Sequence, residues 1–162
     1  MSEQTTVALI AAGAAISGAL VGMLTPLFVE ERRQKAEQKK IQLEKLEVIS
    51  AEVTASLEWY TNLGSQNKLM DLVTYPMCGP LLKAKGLADI YFPNVSESVE
   101  SYSDNMHRIR NRLLKCFKHE SPTTAFADAY DDREFVSLLE ENRELRLTVS
   151  REIQKAAGIV KA

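Results

Sequence analysis

Cys116 and His119 stand three residues apart, a spacing that brings two metal-ligating side chains to one face of a helix. A zinc site needs two such short-spaced pairs. His107 lies too far back along the same helix to join, and Cys78 belongs to a different segment. Cys116 also falls on an apolar seam, where a free cysteine packs as a small hydrophobe. The expectation is no metal site and no cofactor. The chain has only two cysteines, far apart, so it carries no disulfide framework and suits a reducing compartment.

Nucleophilic chemistry fares no better. There is no G-x-S-x-G elbow, no Walker loop, no G-x-G-x-x-G and no H-E-x-x-H. Asp128, Asp131, Asp132 and Glu134 are close together, but carboxylates favour the first turn of a helix, where they meet its positive dipole end. No catalytic residue is assigned, and the chain is not expected to be an enzyme.

Two groups of residues have the types that make contacts. Arg108, Arg110, Arg112, Lys115 and Lys118 occupy a stretch without acids, and Arg108, Arg112 and Lys115 share one helical face. Such a face attracts phosphate, anionic lipid headgroups or an acidic partner. Cations are also favoured at a helix C-terminus, and the acidic start of the following helix would neutralise them. Nucleic acid is disfavoured as the partner because the formal net charge is −2. Tyr91 and Phe92, before Pro93, place two aromatics at a corner between helices. They would serve as a docking point or as a plug for the end of a bundle, with Trp59 and Tyr60 packing against them.

The elements that must position these residues begin with an anchor. Val7–Val29 is a run of 23 residues without a charge. At about 1.5 Å per residue it spans roughly 34 Å as a helix, enough for a hydrocarbon core of about 30 Å. Pro26, near its end, is a place for the helix to bend. A cleaved signal peptide would have basic residues before a shorter apolar run, and MSEQTT has none. Arg32, Arg33, Lys35, Lys39 and Lys40 follow the run, so the positive-inside rule places the N-terminus outside and the rest in the cytoplasm, across an inner (plasma) membrane. Ala14, Gly18 and Gly22 recur every four positions, with Gly13 and Ser17 alongside. That small-residue face lets helices approach closely and supports packing of one span against another.

Residues 30–45 carry mixed charge and read as a solvated helical stalk. Beyond them Leu46, Ile49, Val53, Leu57 and Tyr60 form an amphipathic stripe ending near Gly64, a candidate C-cap. Ser65–Tyr75 and Leu81–Tyr91 read as short helices broken by prolines. Asn94 and Glu97 have the spacing of a capping box. Val95, Val99, Tyr102, Met106, Ile109, Leu113 and Cys116 then step by four and three, a heptad seam predicting a helix over Val95–Lys118. Ser121-Pro122 would start a last helix over Ala125–Val160, whose seam runs Phe135, Leu138, Asn142, Leu145, Val149 and Ile153. Asn142 is polar on that seam, a device that fixes register or partner at a cost in stability. No stretch alternates as a strand does.

The predicted architecture is all-α. It comprises a short tail over 1–6, a transmembrane helix over 7–29, a stalk over 30–45 and a cytoplasmic antiparallel helical bundle over 46–162, built of three long helices and shorter ones. Its expected role is non-enzymatic: a bundle held at the bilayer that recruits or regulates a protein partner. The alternative is an oligomerising membrane effector of the toxin or phage-exclusion type.

Overall fold

Apolar residues spaced by three and four bury only when helices pack side by side, and this requirement organises the chain. A computed structural model describes the backbone of residues 3–117 and 124–158 and, from residue 28 onward, their side chains apart from that of Asp128. Among the described residues every element is a helix and none is a strand. The elements are α1 (Glu3–Gly64), α2 (Leu69–Thr74), α3 (Gly79–Tyr91), α4 (Pro93–Cys116), α5 (Ala125–Ala129) and α6 (Arg133–Ala156). Two compact units divide the chain, Met1–Gln42 and Leu43–Ala162.

In the first unit the described side chains belong to the charged part of α1. They are held by i,i+4 pairs: Lys35 to Glu31 at 2.6 Å and Arg33 to Glu37 at 3.1 Å, all exposed. Such pairs contribute a few tenths of a kcal/mol each (about 0.2–0.5) and keep a solvated helix in register. Among the described residues no helix is long and apolar enough to cross a membrane. The predicted span Val7–Val29, with Pro26 and the small residues Gly13, Ala14, Ser17, Gly18 and Gly22, lies outside the described side chains, save for Phe28 and Val29, which are exposed.

The second unit is a helical bundle whose sense is read from contacts between helices. Glu52 of α1 pairs with Lys83 of α3, and Trp59 Nε1 donates to the Pro76 carbonyl just before α3 at 3.0 Å, so these helices run antiparallel. Lys85 and Glu100 lie 3.6 Å apart, and Ser96 donates to Asp89, so α3 and α4 are antiparallel too. Asn142 meets Asn105 and Asp132 meets Arg112, which makes α4 and α6 antiparallel. α1, α3, α4 and α6 therefore alternate up and down as four walls, with the 13-residue α3 as the fourth where the sequence suggested three long helices.

The heptad seam of α4 is the centre of the core. Val95, Val99, Tyr102, Met106, Ile109 and Leu113 are all buried. Full burial of each such side chain stabilises by roughly 1.5–3 kcal/mol relative to exposure, which is why this stripe dictates the fold. The Tyr102 hydroxyl finds Ser56 of α1 at 3.2 Å, giving the buried phenol a polar partner.

Several boundaries differ from the sequence reading, each for a local reason. α4 begins at Pro93, whose missing N–H suits a first helical position, so Asn94 sits inside the first turn and makes no capping box. The last helix is interrupted: Thr124 caps α5 by accepting from the Ala127 N–H, and Asp132 restarts the chain by accepting from the Phe135 N–H at 2.8 Å. The expected start at Ser121-Pro122 lies outside the described residues, but the helix does not reach Val160: α6 ends at Ala156, where Gly158 takes a left-handed backbone (φ 72°) and its N–H turns back to the Lys155 carbonyl at 2.9 Å. On α1 the buried face extends to Ser56, Trp59 and Leu63, while Leu57 and Tyr60 are only half-buried. Gly64 ends α1 without a left-handed backbone. A Cβ there would lie 2.5 Å from the Phe126 ring, so glycine is required by the close approach of α5.

Candidate functional site

The polar groups concentrated along the α4–α6 interface are the best candidate for a working site. Asn142 enters this seam as the sequence suggested. Its Nδ2 donates to Asn105 Oδ1 at 2.9 Å, and Asn105 Nδ2 donates to the Leu138 carbonyl at 3.4 Å. Both side chains are buried, Asn105 to 1% exposure and Asn142 to 9%. A buried amide without a partner costs about 1–3 kcal/mol, so any sliding of α6 past α4 that breaks this pair is penalised twice. Asn105 was missed in the sequence because it lies one position before Met106 on the seam and looks like a solvated residue. Only the approach of α6 buries it.

The basic stretch of α4 is turned largely inward on the chain's own carboxylates. Arg112 is bidentate to Asp132, at 2.9 Å and 2.5 Å, and reaches Glu134 at 2.6 Å. Arg108 holds both oxygens of Glu141, at 2.8 and 2.9 Å. Arg110 donates to the Val73 carbonyl at 2.8 Å, tying the end of α2 to α4, while its buried Nε has no partner. Lys115 stays exposed, and Lys118 lies outside the described residues. Arg112 and the Phe135 N–H both donate to Asp132 and hold its carboxyl down at about 2; the same pairing raises the Arg112 guanidinium above its ordinary value. This neutralises one end of the interface, as the helix-terminus reading of the acids implied.

Cys116 lies beside this pair. Burial pushes its thiol up, with the Asp132 charge adding to the effect, so it has none of the thiolate character of a reactive cysteine. Burial also raises Cys78. His107 is half-buried, and His119 lies outside the described residues. Among the described residues no three His, Cys, Asp or Glu side chains are grouped to hold a metal ion. A groove of about 250 Å³ between α1 and α6, lined by Val53, Leu57, Ile153 and Arg146, is open to solvent and below the usual range of ligand pockets.

The aromatic corner is arranged differently from expectation. Tyr91 is 39% exposed with Lys45 over its ring at 5.9 Å, and Phe92 is half-buried against the core. Trp59 and Tyr60 do not pack on them. Because α1 and α3 are antiparallel, Trp59 meets Tyr75, with ring centroids 5.5 Å apart, and Tyr60 meets Phe126 at 4.9 Å. Phe126, Phe135 and Tyr130 continue that cluster at the opposite end from Tyr91. Desolvation raises the Tyr60 phenol well above its ordinary value.

No protein-family model, curated protein or solved structure matches the chain.

Proposed function

We propose that this chain is a single-pass inner-membrane protein, bacterial or phage-encoded, whose cytoplasmic helical bundle recruits or regulates a protein partner and has no catalytic activity of its own. The observation that carries the reading is the uncharged run Val7–Val29 with basic residues on its C-terminal side alone. Two features of the bundle support an interaction role. Arg108 and Arg112, the strongest candidates for binding phosphate, are bound to Glu141, Asp132 and Glu134, which argues against nucleic acid. The large exposed apolar side chains Met70, Val73, Met77, Leu82 and Ile90 cluster in sequence around α2 and α3, where a protein partner would find apolar contact.

The test has two parts. The protein should pellet with membranes, resist carbonate extraction and place a C-terminal reporter in the cytoplasm; extraction into the soluble fraction refutes the anchor. A complex purified in mild detergent from native-level expression should contain a stoichiometric second protein. The spacing of Ala14, Gly18 and Gly22 favours one other reading, an oligomerising single-span effector of the toxin or phage-exclusion type that perturbs the membrane when triggered. In that case Gly18→Leu abolishes toxicity on overexpression. A recruiting anchor tolerates the change, and cells that never depolarise exclude the effector.

A further inference from the structure

The charges along the solvated part of α1 are segregated by sign. Counted at about 3.5 residues per turn, Val29, Arg33, Ala36, Lys40 and Leu43 step by four and three and form one seam along the helix. All five are exposed, with Val29 at 60% and Leu43 at 38%. Glu30, Glu37 and Glu44 lie on one flank of the seam, each directly after Val29, Ala36 or Leu43. Arg32 and Lys39 lie on the other, directly before Arg33 and Lys40. The next position of the basic flank is Leu46, which is buried in the bundle, so the seam stops there. Glu37 takes Arg33 of its own helix on one oxygen at 3.1 Å, but both side chains remain largely exposed, at 62% and 70%. Arg32 and Lys39 form no ion pair among the described residues.

We propose that two copies of this chain pair in parallel along this stretch of α1, the basic flank of each lying on the acidic flank of the other. In a parallel pair the residue just before a seam position reaches the residue five further along in the facing helix. Arg32 then meets the second copy's Glu37, Lys39 meets its Glu44, and the two-fold axis repeats both pairs on the other side. An antiparallel pair sets the acidic flank against itself and the basic flank against itself, so the charges choose the sense as well as the occupant. An occupant of one sign throughout, such as nucleic acid or anionic lipid, matches one flank and is repelled by the other. Val29, Ala36 and Leu43 supply the apolar layers. Arg33 and Lys40 between them are polar seam residues, which cost stability and restrict the register. Their long stems let the charged heads leave the axis, as Arg33 does towards Glu37. The contact covers roughly two heptads and its ion pairs are solvated, so by itself it is weak and sensitive to salt. It concerns the stalk alone and does not depend on whether residues 7–29 cross a membrane.

Single cysteines in the full chain, purified in mild detergent, test the pairing. In a parallel pair each seam position meets its own copy, so Ala36→Cys and Leu43→Cys should each give a disulfide-linked dimer on mild oxidation. The yield should stand several-fold above that of Gln38→Cys, on the opposite side of the helix, and of the unsubstituted chain with its Cys78 and Cys116. Reversing the basic flank by Arg32→Glu with Lys39→Glu should raise the dimer dissociation constant about tenfold or more at low salt, and so should reversing the acidic flank by Glu37→Lys with Glu44→Lys. The two reversed chains, mixed, should pair with each other in preference to themselves, while the thermal midpoint of the bundle stays where it is. Each comparison is repeated with Gly18→Leu, which removes association through the span and should leave these differences in place. Yields from Ala36→Cys and Leu43→Cys no higher than that from Gln38→Cys overturn the proposal. So does a Leu43→Cys chain that links to a Val29→Cys chain but not to its own copy, which means an antiparallel pair. Flank reversals that leave the dissociation constant unchanged, or differences that vanish with Gly18→Leu, overturn it as well.

Discussion

Removing one member of the Asn105–Asn142 pair tests whether the α4–α6 seam is held by a buried hydrogen bond. Asn142→Ala leaves Asn105 Oδ1 at 1% exposure without the donor it now has at 2.9 Å. An abandoned buried acceptor costs about 1–3 kcal/mol. Taking about 2 kcal/mol, the ratio of folded to unfolded protein falls roughly 30-fold. For a bundle of this size that lowers the thermal midpoint by roughly 8 °C, at about 4 °C per kcal/mol. Asn105→Ala should cost at least as much, because it also releases the Leu138 carbonyl. Asn105→Leu with Asn142→Leu replaces both partners by apolar groups and should stand within about 1 kcal/mol of the original or above it. Asn105→Ala with Asn142→Ala closes a double-mutant cycle on the two alanine variants, and its coupling should be about 1 kcal/mol or more. Trp59 is the single tryptophan, buried to 8% exposure and bonded to the Pro76 carbonyl, so its fluorescence reports unfolding of the bundle. Single variants that each lie within about 0.5 kcal/mol of the original, adding independently, would refute the reasoning.

Three further outcomes follow from the same contacts. The Asp132 carboxyl is depressed to about 2 in the fold from an ordinary 3.8, so its contribution to stability is complete above that ordinary value and is lost as pH falls from about 4 towards 2. Asp132→Asn or Arg112→Gln should flatten this acid limb in melts recorded between pH 5 and 2. Gly64→Ala drives a methyl into the Phe126 ring and should destabilise by about 1–3 kcal/mol; Phe126→Leu in the same chain should recover part of that loss in thermal melts. Finally, burial raises both thiols, so Cys78 and Cys116 should react with a thiol reagent at neutral pH far more slowly in the folded protein than in denaturant, and Cys78, at 2% exposure, should be the slower. Equal rates in the folded and denatured states would remove the buried setting assigned to them.

Periodicity alone determined a good deal of this protein. The steps of three and four from Val95 to Leu113 specify the buried face of α4, because an amphipathic helix has one low-energy way to hide its apolar stripe. The same logic placed Phe135, Leu138, Asn142 and Val149 on the inner face of α6 and excluded strands from the described residues. The pairing of those faces was decided only by the tertiary structure. Asn105 became a partner because α6 crosses α4 at that height. Arg108 and Arg112 became internal ion-pair donors because an antiparallel neighbour brings Glu141 and Asp132 within reach. Trp59 left Tyr91 for Tyr75 because α1 and α3 run in opposite directions. Gly64 shows the difference most plainly. In the sequence it is a helix stop, whereas in the fold its missing side chain makes room for Phe126, a residue 62 positions further along the chain. Local spacing tells a helix which face to bury, but the neighbour that covers it is chosen by the packing of the whole bundle.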